Sequence, residues 1–240
     1  MARRKLGFWG RFAVSLVKPA TALMNKPDWR GFEHLQRPGG VIVVVNHMSD
    51  ADPFVIARYV YESGRWPQFL AKESLFRLPV AGKILEWCRQ VPVRRGTIEA
   101  ARALDDAVEA LRNNGTVVIY PEGTITRDPD LWPMKGKTGA ARLALLTGAP
   151  VIPVAMWGAE EIYDRRKPSK KLRLRPRTPV WVWAGPPVDL DQWLGEEASA
   201  AVLNDMTDAM MLRIRDILAE IRGVENPPPL WTPERKEAGE

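Results

Sequence analysis

Residues 41–53 read Val-Ile-Val-Val-Val-Asn-His-Met-Ser-Asp-Ala-Asp-Pro, and no other stretch restricts the fold as much. Five consecutive β-branched residues do not by periodicity alone separate a strand from a buried helix. Their short run and the Pro38-Gly39-Gly40 turn ahead of them favour a strand covered on both faces, as in parallel sheets. The strand runs straight into a polar cluster, where Ser49 or Asp50 is placed to cap a helix whose first turn holds Pro53. His47 therefore stands where a strand ends and a helix begins. In open α/β sheets that carboxyl edge is where ligands bind.

The alternation of apolar runs and amphipathic segments continues along the chain. Residues 53–63 have helical spacing in Phe54, Ile56, Ala57 and Val60, with Gly64 to end them. Then come a short strand over 67–71, a helix over 80–88, an apolar stretch at 90–93, a helix over 97–113 closed by Asn114-Gly115, and a β-branched strand over 116–120. This last strand ends in Pro121-Glu122-Gly123-Thr124, a second polar cluster on the same sheet edge as His47 if the two strands are parallel. A helix over 140–146, strands over 151–156 and 180–184, and an amphipathic helix over 198–222 follow, the last marked by Val202, Met206, Met210, Ile214, Ile217 and Ile221. Residues 27–40 read as a connection into the first strand. The succession implies an α/β fold: a single domain over 27–225, its mostly parallel central sheet flanked by helices, followed by a flexible Pro-rich tail over 226–240.

The net charge of +6 is unevenly placed. Residues 1–30 carry Arg3, Arg4, Lys5, Arg11, Lys18, Lys26 and Arg30 against Asp28 alone, so the other 210 residues balance to zero. Residues 3–24 read as a basic amphipathic helix, the core of an N-terminal segment over 1–26. Leu6, Trp9, Phe12, Ala13, Leu16 and Val17 fall on one arc, and Arg4, Arg11 and Lys18 on the other. That is the pattern of an interfacial helix on an anionic membrane, with the aromatics at headgroup depth, Trp9, Phe12 and Trp29 as anchors, and the cations toward anionic lipid. The plain alternative is that the stripe packs on the protein's own core. A signal peptide is the rival, since Ala20-Thr21-Ala22 resembles a cleavage site, but none is expected, because the apolar run between Arg11 and Lys18 is too short. No run of 18 apolar residues exists, so no transmembrane helix is expected. Peripheral or monotopic attachment to the cytoplasmic face of the cell membrane is. A second basic stretch, residues 165–177, is either a solvated loop and edge strand or a contact for an anionic surface or acyl donor.

His47 and Asp52 are five residues apart across a strand-to-helix turn, close enough for the carboxylate to bind one imidazole nitrogen. Such a contact fixes the tautomer and stabilises the imidazolium that forms when the other nitrogen takes a proton, so His47 is a candidate general base. His34, with only Glu33 nearby, has no comparable setting. A hydrolase triad lacks its nucleophile: no G-x-S-x-G elbow occurs, and Ser49 is only two residues from His47. Gly136-Lys137-Thr138 imitates the end of a P-loop, but Leu131 stands where the first glycine is required. One cysteine, Cys88, and two histidines make neither a disulfide nor the usual zinc site, so no metal or cofactor is expected and a reducing compartment fits.

These residues match a known family. Asn46-His47-Met48-Ser49-Asp50-Ala51-Asp52 resembles the N-H-x-S-x-x-D signature of the glycerolipid acyltransferases, the 1-acylglycerol-3-phosphate acyltransferase type. Tyr120-Pro121-Glu122-Gly123-Thr124 is similar to the family's F-P-E-G-T block, Lys72-Glu73-Ser74-Leu75 to its K-x-x-L block, Val93-Arg94-Arg95-Gly96 to its arginine block, and Val151-Ile152-Pro153-Val154 to its last apolar block. The five stand in the family's order over about residues 40–158.

The resemblance implies direct acyl transfer. His47, oriented by Asp52, takes the proton of a lysophospholipid hydroxyl as it attacks the thioester of acyl-coenzyme A or acyl carrier protein. It also implies that Asn46, Ser49, Lys72, Arg94, Arg95, Glu122, Gly123, Thr124 and Arg127 make up the substrate-binding set. A carboxylate meets a phosphate only if it pairs with an arginine or the phosphate uses the Gly123 and Thr124 N–H groups beside it, and an Arg–Glu pair is expected. Ile125 departs from the family, which commonly has Arg there. Either Arg127 takes over or the acceptor differs from plain lysophosphatidic acid. A non-catalytic lipid-binding protein and a thioesterase are the rival readings. A nucleic-acid binder is the weakest, because outside the N-terminal helix the chain has no net charge.

Overall fold

The computed structural model describes residues 7–93, 99–164, 166, 172 and 177–232. Seven strands form one sheet: β1 (Asn25–Arg30), β2 (Val41–Val45), β3 (Pro67–Lys72), β4 (Val91–Val93), β5 (Thr116–Ile119), β6 (Val151–Trp157) and β7 (Thr178–Ala184). Their order is β1-β7-β6-β2-β5-β3-β4. The five strands from β6 to β4 are mutually parallel, with Val43 in register with Val118 on one side and Ile152 on the other. β7 runs antiparallel to β6, and β1 pairs parallel to β7. The mostly parallel α/β sheet anticipated from the sequence is thus present, with a reversed pair at one edge.

The helices are α1 (Phe8–Met24), α2 (Phe32–Leu35), α3 (Asp52–Glu62), α4 (Glu73–Phe76), α5 (Ala81–Trp87), α6 (Glu99–Arg112), α7 (Gly139–Thr147) and α8 (Ala200–Arg222). The sheet has an apolar layer on each face. Ile42 and Val44 face the layer built with α6, α7 and α8, and Val41, Val43 and Val45 face the layer built with α3. All five residues of β2 are fully buried, which is why the run is β-branched throughout and not alternating. Burying each contributes roughly 2 kcal/mol. α8 buries Leu203, Met206, Met210, Ile214 and Ile217 along one stripe, starts at Ser199, whose side chain accepts from the Val202 N–H, and stops at Gly223 in the left-handed region. Arg65, itself buried, donates to the carbonyls of Leu35, Arg37, Gly39 and Gly115 and fixes the turn that feeds β2.

Two connections differ from expectation. Residues 27–40 are not a plain connection: they hold most of β1 and all of α2. β1 has no alternating apolar pattern to announce it. It forms because Asn25 through Arg30 pair with Thr178 through Trp183, a partner more than 150 residues away. The tail is anchored at its start, since Lys135 N–H donates to Trp231 O and Trp231 N–H donates to Pro133 O, both at 3.1 Å. Most of the basic stretch at 165–177 lies outside the described residues.

Candidate active site

His47 sits one residue past Asn46, at the carboxyl end of the central strand β2. Asn46 spends its whole amide on β6, donating to Met156 O at 3.0 Å and accepting from Met156 N–H at 2.8 Å. This clip locks the start of the turn to the neighbouring strand. Ser49 closes the other end: its hydroxyl donates to Tyr163 O and accepts from Ala51 N–H. Neither Ser49 nor Asp50 caps α3; Ala51 holds the cap position with no side-chain bond to the helix. Asp52, the first helical residue, instead turns its carboxylate back into the loop.

Asp52 Oδ2 accepts three hydrogen bonds: from His47 Nδ1 at 2.9 Å, Met48 N–H at 2.7 Å and Ser49 N–H at 2.9 Å. Asp52 is fully buried while the His47 side chain is 16% exposed, so the pair has one dry end and one open end. Burial pushes the Asp52 carboxyl up, and the bonds from His47, Ser49 and Met48 pull the other way. With Nδ1 donating to a carboxylate, the proton of the neutral ring is on Nδ1 and the free lone pair is on Nε2, the arrangement of a base. Two buried polar atoms of this region, Asp52 Oδ1 and the Tyr120 hydroxyl, have no hydrogen-bond partner among the described residues. The Tyr120 ring stacks on the His47 imidazole with centroids 4.4 Å apart and limits its tilt. Burial, together with the charge of Asp52, holds the Tyr120 hydroxyl well above its ordinary pKa.

The second turn, after β5, grips the backbone of the same histidine. Glu122 Oε1 accepts from His47 N–H at 2.9 Å, Glu122 Oε2 accepts from Met134 N–H at 3.1 Å, and Thr126 N–H donates to His47 O at 2.7 Å. Glu122 is 3% exposed, and burial raises its pKa to about 8 against the pull of those two N–H groups. The expected Arg–Glu pair is absent among the described ion pairs; the two oxygens are spent on backbone donors inside the protein. Glu122 is therefore a brace for His47 and does not face a ligand. Asn46 and Ser49, 2% and 1% exposed, are likewise spent on holding the turn and are corrected from substrate contacts to scaffold.

The open part of the site is Gly123, with φ +70°, and the exposed Thr124. Ile125, in the place of the family's arginine, is buried, and Arg127 is exposed, its N–H on Met134 Sδ at 3.3 Å. Arg94, Arg95 and the side chain of Lys72 lie outside the described residues. The sequence reading missed the Thr126 and Met134 contacts, for which no spacing signal exists. It also missed Lys137, considered only as a P-loop lysine, which packs on Gly123.

At the N-terminus, α1 packs on α3 and α5 and leaves Trp9, Phe12 and Leu16 at 37%, 45% and 59% exposure. Trp9 stacks on Trp87 of α5 at 3.7 Å, and Leu75 of α4 and Leu78 and Val80 of the link to α5 are also exposed. Arg11 and Lys18 are exposed, Lys18 lying 3.5 Å from Glu62. Arg4 is outside the described residues. Among the described residues no helix is long and apolar enough to cross a membrane.

The family model described as Acyltransferase matches residues 26–157, more than half of the chain. A 1-acyl-sn-glycerol-3-phosphate acyltransferase of Borreliella burgdorferi is 29% identical over 134 residues, which cover 55% of this chain and 52% of that one. A chloroplastic enzyme of the same name from Brassica napus is 30% identical over 57% of this chain and 39% of its own length. The chain thus spans about half or less of these curated relatives. The crystal structure of the 1-acyl-sn-glycerophosphate acyltransferase PlsC from Thermotoga maritima has the same fold, with a TM-score of 0.66 over 90% of this chain and 80% of that one, at 24% identity. Matched by the family model across both turns that hold His47, the chain belongs to the acyltransferase family that its five sequence blocks resemble.

Proposed function

We propose that the protein transfers a fatty acyl group from acyl-coenzyme A or acyl carrier protein to the hydroxyl of a lysophospholipid, with 1-acylglycerol 3-phosphate as acceptor and phosphatidic acid as product. The observation that carries this reading is the 2.9 Å contact of His47 Nδ1 with the buried Asp52 carboxylate at the sheet edge, in a chain whose sequence has no G-x-S-x-G nucleophile elbow. His47 Nε2 takes the acceptor's hydroxyl proton as its oxygen forms the new bond to the thioester carbonyl carbon. The C–S bond then breaks, and the leaving thiolate receives the proton from the imidazolium. Asp52 stays ionised and steadies the cation between the two transfers. Similarity to enzymes named for 1-acylglycerol 3-phosphate supports that acceptor. The exposed Trp9, Phe12 and Leu16 of α1, with Trp87 stacked on Trp9 and Arg11 and Lys18 along the helix, suit attachment to an anionic membrane surface where such acceptors reside.

The test is acyl transfer from radiolabelled long-chain acyl-coenzyme A to a panel of lysolipids and glycerol 3-phosphate, in vesicles with and without anionic lipid. The expected result is phosphatidic acid from lysophosphatidic acid, faster on anionic vesicles, with a loss on the order of 10²–10⁴-fold in His47→Ala. Release of free fatty acid alone, or an unchanged rate in His47→Ala, would sink it.

A further inference from the structure

Two buried atoms beside His47 each lack what the other can give. Asp52 Oδ1 is an acceptor with no donor, although Oδ2 of the same carboxylate collects three, and the Tyr120 hydroxyl is a donor with no acceptor among the described residues. A buried carboxylate persists as an anion when hydrogen bonds hold both of its oxygens, and a phenol that loses its hydration on burial needs a partner in return. Phenylalanine at position 120 would keep the ring and avoid that cost, and phenylalanine is what the F-P-E-G-T block has there. The hydroxyl is what this chain adds to the block, and packing of the ring does not require it.

The fold puts both atoms in one layer. β5 lies between β2 and β3 in the sheet, so the Tyr120 ring, one residue past β5, stands between the His47 imidazole and the Phe69 ring, with centroids 4.4 Å and 6.3 Å away. Tyr120 packs with the apolar layer under α3, and Asp52 is the first residue of that helix. The ring is half-buried but its hydroxyl is enclosed, and burial, then the charge of Asp52, keep the phenol protonated and able to donate. The two atoms make no direct bond, and a buried water joins such a pair by accepting from one and donating to the other.

We propose that Tyr120 is a positioning residue of the active site: its hydroxyl, through one buried water, completes the hydrogen bonds of Asp52 at Oδ1 while its ring holds the His47 imidazole. The proposal deepens the acyl-transfer reading and rests on it for the effect on rate. A donor at Oδ1 shares the charge of Asp52, so the carboxylate orients the imidazolium without holding its proton too tightly to be passed to the leaving thiolate.

The test uses Tyr120→Phe, which keeps the ring and its stack. Without the donor, the undivided charge of Asp52 holds the imidazolium more strongly, so the midpoint of the His47 ring titration, followed by nitrogen-15 resonance, should rise by about half a pH unit or more. We expect kcat to fall about tenfold, with KM within about twofold and the melting temperature kept. On an Asp52→Asn background the same substitution should cost less than about twofold more, because its route to the imidazole is already cut. Glu122 and Glu160 are the other buried carboxyls that feel the charge of Asp52, and the shift in midpoint should persist in Glu160→Gln. A crystal structure should show one water within hydrogen-bond distance of both Asp52 Oδ1 and the Tyr120 hydroxyl. An unchanged or lower midpoint, a shift that vanishes in Glu160→Gln, an equal loss of rate on both backgrounds, or no water joining the two atoms would overturn the proposal. The ring titration and the water are read without turnover, so they decide it even if wild type transfers no acyl group.

Discussion

The turn at 46–52 and the turn at 120–137 both leave parallel strands of one sheet, and each spends a buried carboxyl group on His47, yet they hold different parts of it. Asp52 takes the imidazole through Nδ1, and its Oδ2 also collects two N–H groups of its own loop. Glu122 reaches from the neighbouring strand to the His47 backbone N–H, with Thr126 on the carbonyl. The first contact sets the ring's tautomer; the second sets where the ring stands. Two residues with the same functional group and similar burial therefore hold the ring in one case and the backbone in the other, which suits the first to the proposed chemistry and the second to architecture. What separates them is which atom of His47 they touch.

Substitution of each carboxyl should break the two contacts in different ways, with the larger effect on rate coming from the imidazole side. In Asp52→Asn the amide oxygen can keep all three donors at the Oδ2 place, while the nitrogen takes the unpartnered Oδ1 position, so the fold survives and only the charge is lost. We expect kcat to fall roughly 10²-fold with the melting temperature nearly kept. Glu122→Ala leaves the N–H groups of His47 and Met134 buried without acceptors, at about 1–3 kcal/mol each, so it should show first as lost stability in a denaturant melt. An unfolded Asp52→Asn beside a stable, inactive Glu122→Ala would reverse the assignment.

A smaller effect concerns pH. Burial raises Glu122 to about 8 and Glu160 to about 7, both from an ordinary 4.5, so the folded chain binds these protons more tightly than the unfolded one. Their stabilising contribution is complete below about pH 4.5 and is lost as pH rises through 7 and 8, at no more than about 1.4 kcal/mol per unit for each group. Glu160→Gln should flatten the part of the slope below pH 7 and leave the part near pH 8 to Glu122. Urea melts at several pH values check this; an unaltered slope in the variant would remove Glu160 from the explanation.

The same contrast marks what could be read from the sequence. β2 and β5 were legible because burial on both faces favours unbroken β-branched runs, β6 because an apolar run follows the Gly148-Ala149-Pro150 turn, and the His47–Asp52 contact because five residues span one strand-to-helix turn. β1 was not, since Lys26, Pro27 and Asp28 resemble a loop until β7 arrives to pair with them. The sequence identified Glu122 but not its backbone donors, which only the fold reveals; the arginines expected beside it, Arg94 and Arg95, lie outside the described residues. Asn46 and Ser49 were misplaced for a similar reason: their partners Met156 and Tyr163 are more than 100 residues away. Lys137 depends on the left-handed backbone of Gly123, which spacing does not encode.

The chain has two histidines, so protein labelled with nitrogen-15 in histidine shows only the rings of His34 and His47, assigned by His47→Ala. The tautomer of His47 is the most direct test of its role as the base. The hydrogen bond to Asp52 predicts a neutral ring protonated at Nδ1, with Nε2 carrying the lone pair, and Asp52→Ala should remove that bias. A His47 ring protonated at Nε2 in the wild type would contradict it, because the nitrogen facing the substrate would then have no lone pair to accept a proton.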